Sequence, residues 1–126
     1  MTHGPRKPVR ATVVTGDLTT DYLCMGSGRP LLVLAAAERR TPLIDAGGAV
    51  FRVIAPILGQ RNEFDASRIV DLLDGLGLWD VLVAADREFE GLALACAASF
   101  PERIVSVLID DGDSIDLPRA LARLAG

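Results

Sequence analysis

The feature that most constrains this chain is a series of short, nearly unbroken apolar runs. They are Leu31-Leu32-Val33-Leu34-Ala35, Phe51-Arg52-Val53-Ile54-Ala55, Val81-Leu82-Val83-Ala84-Ala85 and Ile104-Val105-Ser106-Val107-Leu108-Ile109. A strand with one wet face alternates apolar and polar residues, whereas a strand covered on both faces reads as a near-continuous hydrophobic run. Helix-period segments lie between the runs. Asp65 is placed to cap a helix over 66–76, with Ile69, Leu72, Leu73 and Leu76 at helical spacing and Gly77 ending it. Gly91 to Ser99 reads as a small-residue helix stopped by Pro101, and Leu117 to Leu124 as a short helix that tolerates Pro118 near its start. Glu38 to Leu43 is polar, and Asp45-Ala46-Gly47-Gly48 looks like the end of a short helix or a loop. Ahead of these, Ala11-Thr12-Val13-Val14-Thr15, the turn signal Gly16-Asp17, and Thr19 to Met25 predict a hairpin.

Strands alternating with helices after an opening hairpin predict an α/β three-layer sandwich, its sheet mostly parallel with an N-terminal antiparallel hairpin. The expected organisation is a flexible tail over 1–10 and a single domain over 11–126, with no internal repeat. Ligands of such sheets bind at the carboxyl ends of strands, so the loops after Ala35, Ala55, Ala85 and Ile109 are the ones that matter.

Charge and composition remove several function classes. Thirteen basic against seventeen acidic residues give a net charge of −4, without the basic excess of a nucleic-acid binder. Arg6, Lys7 and Arg10 form only a small basic head. No apolar run approaches the roughly 18 residues of a membrane span. The polar start Met1 to Pro8 lacks the apolar stretch of a signal peptide, so a cytoplasmic protein without nucleic-acid or membrane partners is expected. Cys24 and Cys96 read as small buried hydrophobes rather than a disulfide or metal pair. The one histidine, His3, falls in the expected tail. No metal or cofactor is expected.

Several segments resemble the α/β-hydrolase superfamily in order and spacing. Gly26-Ser27-Gly28-Arg29-Pro30-Leu31-Leu32-Val33-Leu34 is similar to the family's G-x-G-x-P-L-L-L-L, and Phe51-Arg52-Val53-Ile54-Ala55-Pro56 to its F-R-V-I-A-P-D strand. Leu72-Leu73-Asp74-Gly75-Leu76-Gly77-Leu78 resembles L-L-D-x-L-G-L, and Phe100-Pro101-Glu102-Arg103-Ile104 with Val107-Leu108-Ile109-Asp110 resembles Y-P-E-R-V…L-V-L-I-D. The resemblance runs from Ala11 to Asp111 and implies the N-terminal half of that fold. The last two strands and the histidine loop would fall beyond this chain.

The nucleophile of that family sits in G-x-S-x-G, on a strained strand-to-helix turn. Counting forward from Leu78 and backward from Pro101 places that position at Arg87, within Ala85-Asp86-Arg87-Glu88-Phe89-Glu90. A guanidinium stays protonated and is no nucleophile. A gapped alternative makes Asp86 the nucleophile, since dehalogenases and epoxide hydrolases carry G-H-D-R-G-G, but Glu88 then stands where a small residue belongs. The family's His-Gly after the third strand is Ala35-Ala36 here. Asp110 or Asp111 matches an acid that some members place after the sixth strand, without a histidine to orient. The alternative for Asp110-Asp111-Gly112-Asp113 is a solvated turn.

Other constellations are weaker. Asp111, Asp113 and Asp116 lack the closing Glu of a calcium loop. Glu38, Arg39, Arg40 and Arg61, with Asp86, Arg87 and Glu88, are expected on loops at the strand ends. Arg39, Arg40 and Arg87 are the candidate anion ligands there, against mutual ion pairing on a surface. Trp79 reads as a packing residue. Gly26-Ser27-Gly28 precedes a strand and is no phosphate loop.

The leading expectation is therefore a catalytically degenerate α/β-hydrolase-like protein, a pseudoenzyme with a binding or assembly role. Its last strand would form a homodimer or partner-chain contact through Val105, Val107 or Ile109. The alternatives are an esterase- or dehalogenase-like hydrolase using Asp86, completed by a second chain, and a small anionic ligand-binding protein.

Overall fold

The computed structural model describes residues 7–58, 64–112 and 117–124. Among the described residues six strands form one sheet: β1 (Val9–Thr15), β2 (Leu18–Met25), β3 (Pro30–Leu34), β4 (Arg52–Pro56), β5 (Val81–Asp86) and β6 (Ile104–Asp110). Their spatial order is β1-β2-β4-β3-β5-β6. β1 and β2 pair antiparallel, β2 meets β4 antiparallel, and β4, β3, β5 and β6 run parallel. The described residues also form four α-helices, which cover the sheet: α1 (Ala37–Gly47), α2 (Ala66–Gly75), α3 (Glu90–Ser99) and α4 (Leu117–Leu124). Among the described residues no helix is long and apolar enough to cross a membrane.

The unbroken apolar runs are explained by two core layers, one on each face. Along β3, Leu32 and Leu34 point to the layer shared with Ile69, Leu72 and Leu73 of α2 and Ala93 and Cys96 of α3. Leu31 and Val33 point the other way, to Leu43 and Ile44 of α1 and Leu117 and Leu121 of α4. Successive side chains of a strand face opposite sides, so a strand between two helical layers has no polar position to offer. Leu31 to Leu34 and Leu82 to Ala85 are all fully buried. The three-layer α/β architecture expected from the sequence is the one found.

Three local expectations are corrected. β1 begins at Val9, not Ala11: Val9 and Arg10, assigned to the tail, pair with Cys24 and Leu23, and Arg10 Nη2 donates to Asp21 Oδ2 at 2.7 Å. Residues 1–6, with His3 and Arg6, lie outside the described residues. The polar segment after β3 is a helix of eleven residues with Pro42 inside it. Pro42 disfavours that helix, and burial of Leu43, Ile44 and Gly47 overrides it. Gly47 has a packing reason, because a Cβ there would meet Leu31 Cδ2 at 2.9 Å and Val53 Cγ2 at 3.0 Å. Glu38, Arg39 and Arg40 therefore stand in the first turn of α1, not on a loop. Finally, Cys24 is half-buried on β2, whereas Cys96 is buried as expected.

Candidate functional site

The carboxyl ends of β3, β5 and β6 meet at one place. β5 ends at Asp86, which stands beside Asp110 at the end of β6 in parallel register. β3 gives way to Ala36, the N-cap of α1, whose side chain supplies no capping bond.

Asp86 is 4% exposed and its two oxygens are both engaged. Oδ1 accepts from Phe89 N at 3.0 Å and Oδ2 from Ala36 N at 2.8 Å. A helix start leaves backbone N–H groups without partners and carries a partial positive charge. One carboxylate thus serves two starts, that of α1 and that of the 3₁₀ turn Arg87–Phe89 which leads into α3. The turn explains what becomes of the nucleophile position. Among the described residues no non-glycine residue has a positive φ, so Arg87 is not held in the strained elbow conformation. It lies exposed in the 3₁₀ turn. Phe89, where the elbow would need a small residue, is 4% exposed and packs into the α2/α3 core layer.

Asp110 is the second buried carboxylate. Its Oδ2 accepts from Arg39 Nη2 at 2.5 Å and Arg39 Nε at 3.1 Å, and its Oδ1 from Gly112 N at 3.1 Å. The hydrogen bonds to Asp110 raise the Arg39 pKa, and the charges of Asp110, Asp86 and Asp111 add to the effect. Burial lowers the Arg40 pKa, opposed by Glu38. Arg40 Nε is buried without a hydrogen-bond partner.

A cavity of about 220 Å³ opens here, lined by Glu38, Arg39, Asp86, Arg87, Glu88, Asp110, Asp111 and Gly112. Of the three candidate anion ligands, Arg39 and Arg87 come together in it and Arg40 does not. Its five carboxylates outnumber its two guanidiniums, and Arg39 is committed to Asp110. This lining disfavours an anion. A larger cavity of about 620 Å³ adjoins it along α3, between Phe64 and Ala95, with Arg87 and Glu88 on the shared wall. Arg61, Asp113 and Asp116 lie outside the described residues.

Sequence reasoning missed two elements. The Ala36 N–H is a backbone group and leaves no sequence signal. The Arg39–Asp110 pair joins residues 71 positions apart, although both had been singled out separately. Trp79, read as packing, is 67% exposed and stacks on the Arg103 guanidinium, 4.6 Å from the ring centroid.

No family model and no curated protein matches this sequence. Solved structures do. A carboxylesterase, CesB (YbfK), from Bacillus subtilis superposes with a TM-score of 0.71 at 22% identity, over 83% of this chain and 44% of that one. A 2-hydroxy-6-oxo-6-phenylhexa-2,4-dienoate hydrolase from Rhodococcus sp. strain RHA1 gives 0.70 at 20% identity, over 82% and 46%. A mutant epoxide hydrolase from Vigna radiata gives 0.67 at 16% identity, over 81% and 38%. This chain spans under half the length of each. At such identities the likeness is one of architecture: over the strands described here, this chain has the α/β-hydrolase fold.

Proposed function

We propose that this chain is a catalytically degenerate α/β-hydrolase-like protein of the cytoplasm with a binding or assembly role. The observation that carries this reading is the Asp86 carboxylate, which accepts from Ala36 N and Phe89 N. In a hydrolase of this fold the N–H after the third strand serves the oxyanion of the reaction. Here that N–H is already bonded to an anion of the chain itself. Arg87 at the nucleophile position has no nucleophilic lone pair to offer, and Asp110 is tied to Arg39. The assembly role points to the outer edge of β6, with a homodimer or partner chain at Val105, Val107 and Ile109. The test is turnover of a generic ester and a haloalkane. No turnover above background is expected. Turnover that disappears in Asp86→Asn would overturn the reading.

One contact favours a second reading. Asp86 is a buried carboxylate at the end of β5, beside the N–H of the β3–α1 turn, where an aspartate nucleophile would have one oxygen held and the other free. A hydrolase using Asp86 would need Oδ1 to leave Phe89 N, with a histidine base supplied by a second chain. A covalent adduct on Asp86 after incubation with a haloalkane, read by mass spectrometry, would establish it.

A further inference from the structure

The cations of this chain are not used alike. Arg10, Arg39 and Arg103 each hold a carboxylate, that of Asp21, Asp110 and Asp74 respectively. Lys7 and Arg52 are exposed, and among the described residues neither side chain has an ion-pair or hydrogen-bond partner. Both line one cleft of about 440 Å³, with Val9, Cys24, Gly26 and Ser27 among its other walls. No carboxylate lines this cleft, whereas the cavity at the carboxyl ends of β5 and β6 is lined mainly by carboxylates.

The strand register brings the two cations together. Val9 pairs with Cys24, and Cys24 with Ile54. Partners in register point to one face of a sheet, and Ile54 belongs to the core layer of α2 and α3. A step of two residues along a strand keeps the face. Lys7, two before Val9, and Arg52, two before Ile54, therefore share it. Pro8 favours extended backbone at Lys7. The two cations thus flank β2, two inter-strand spacings or roughly 10 Å apart. β2 ends at Met25, and Gly26 follows with φ +87°. A Cβ at Gly26 would collide with Phe51 O and Gly48 O. The backbone therefore requires glycine there, and glycine puts no side chain between Lys7 and Arg52. α2 meets this face further along β1, where a Gly75 Cβ would touch Thr15 and Val13. Val9 is left exposed and Cys24 half-buried in the cleft.

We propose that this cleft binds a small phosphomonoester, its phosphate between Lys7 and Arg52 and its organic part against Val9 and Cys24. Two cations on opposite sides suit a dianion better than a monoanion. The Arg52 guanidinium offers a planar fork to phosphate oxygens, and the Lys7 ammonium a compact charge. The Ser27 hydroxyl lies in the same cleft as a further donor. This site is at the amino end of β4, away from Asp86 and from β6, and it depends on neither the loss of hydrolysis nor an assembly role.

Isothermal titration of the full chain with phenyl phosphate, inorganic phosphate and benzoate tests the proposal. Phenyl phosphate is expected to bind at least about tenfold more tightly than the other two, and more weakly as salt rises. Arg52→Gln and Lys7→Gln are each expected to weaken it about tenfold or more with circular dichroism unchanged. Arg87→Gln, in the other cavities, is expected to leave it unchanged. Bound phenyl phosphate should also slow alkylation of Cys24 by iodoacetamide, read by peptide mass, with the buried Cys96 as internal control. No binding at millimolar ligand overturns the proposal. So does binding indifferent to Lys7 and Arg52, binding lost in Arg87→Gln, or binding that leaves Cys24 alkylation unchanged. Inorganic phosphate that matches phenyl phosphate overturns the organic part of the ligand, and benzoate that matches it overturns the preference for a dianion. Ester turnover by the chain would remove the non-enzymatic reading and leave this site standing.

Discussion

The two ends of β5 both carry buried charge, and they are electrostatic opposites. At the amino end, Arg103 is 7% exposed and its guanidinium donates to Trp79 O, to Leu78 O at 2.9 Å and to Asp74 Oδ1 at 2.7 Å. Those acceptors lie at or just beyond the C-terminal end of α2, where carbonyls lack helical partners and a cation is favoured. At the carboxyl end, Asp86 and Asp110 take N–H donors from Ala36, Phe89 and Gly112, where helices and turns begin. Each end thus receives the charge that the exposed backbone dipoles call for. The amino-end network joins an arginine mainly to fixed carbonyls. The carboxyl-end network joins carboxylates to backbone amides, among them the Ala36 N–H after the third strand, which a hydrolase of this fold would keep free for its reaction. The comparison teaches that buried charge at a strand end is not in itself a mark of catalysis, and that the partner atoms decide.

The sharpest way to break the comparison is to remove Arg103. Arg103→Ala should cost about 2–4 kcal/mol, because it leaves two carbonyls short of a donor in a buried place. Asp74→Ala should cost less, about 1–2 kcal/mol, because the buried Arg103 loses its carboxylate but keeps the Trp79 and Leu78 carbonyls. Urea denaturation midpoints give both numbers. Equal losses would mean that the ion pair, not the carbonyls, holds this end together. Arg103→Lys should fall between them, since a lysine cannot reproduce the planar fork.

At the other end, Asp86→Ala should cost about 1–3 kcal/mol by orphaning two N–H groups, and Asp86→Asn about half as much, because one carbonyl oxygen survives to accept. A fully stable Asp86→Ala protein would show that the carboxylate is not there for the backbone, and would revive the case for Asp86 as a reacting group. Within the Asp110 pair the effects should be unequal. Arg39→Ala leaves a fully buried carboxylate without its cation, whereas Asp110→Asn leaves an arginine that is 32% exposed and can turn to water. Arg39→Ala is therefore expected to be the more damaging of the two, by about 1 kcal/mol or more.

How much of this was legible in the sequence follows the same division. The apolar runs gave away the sheet because burial on both faces leaves no alternation, and Asp65 announced α2 because it caps Arg68 N at 2.9 Å. α1 was obscured because Pro42 lies inside it and its start shows no apolar helical period, while only Leu43, Ile44 and Gly47 are buried. The position of Arg87 could be counted from the flanking segments. Its conformation could not, since the 3₁₀ turn depends on an Asp86 bond and on burying Phe89. Arg103 appeared only as one letter of a family-like motif, because its partners are mostly backbone oxygens.

The smallest effect provides the exposed control. Arg10 and Asp21 form a pair at the β1 edge with 65% and 38% of their side chains exposed. The Arg10 hydrogen bond, chiefly, and the Thr12 hydroxyl hold the Asp21 carboxyl below the usual carboxylate range. A carboxylate with a lowered folded-state pKa contributes stability above its unfolded value, near pH 4, and loses that contribution as pH falls through the folded value. Stability measured from neutral pH downward should therefore show a small acid-side loss that shrinks in Arg10→Leu and at high salt, because a pair this open to water is screened. The buried networks at the two ends of β5 should resist salt. An acid limb that Arg10→Leu leaves unchanged would show that the Asp21 pair does not contribute to it.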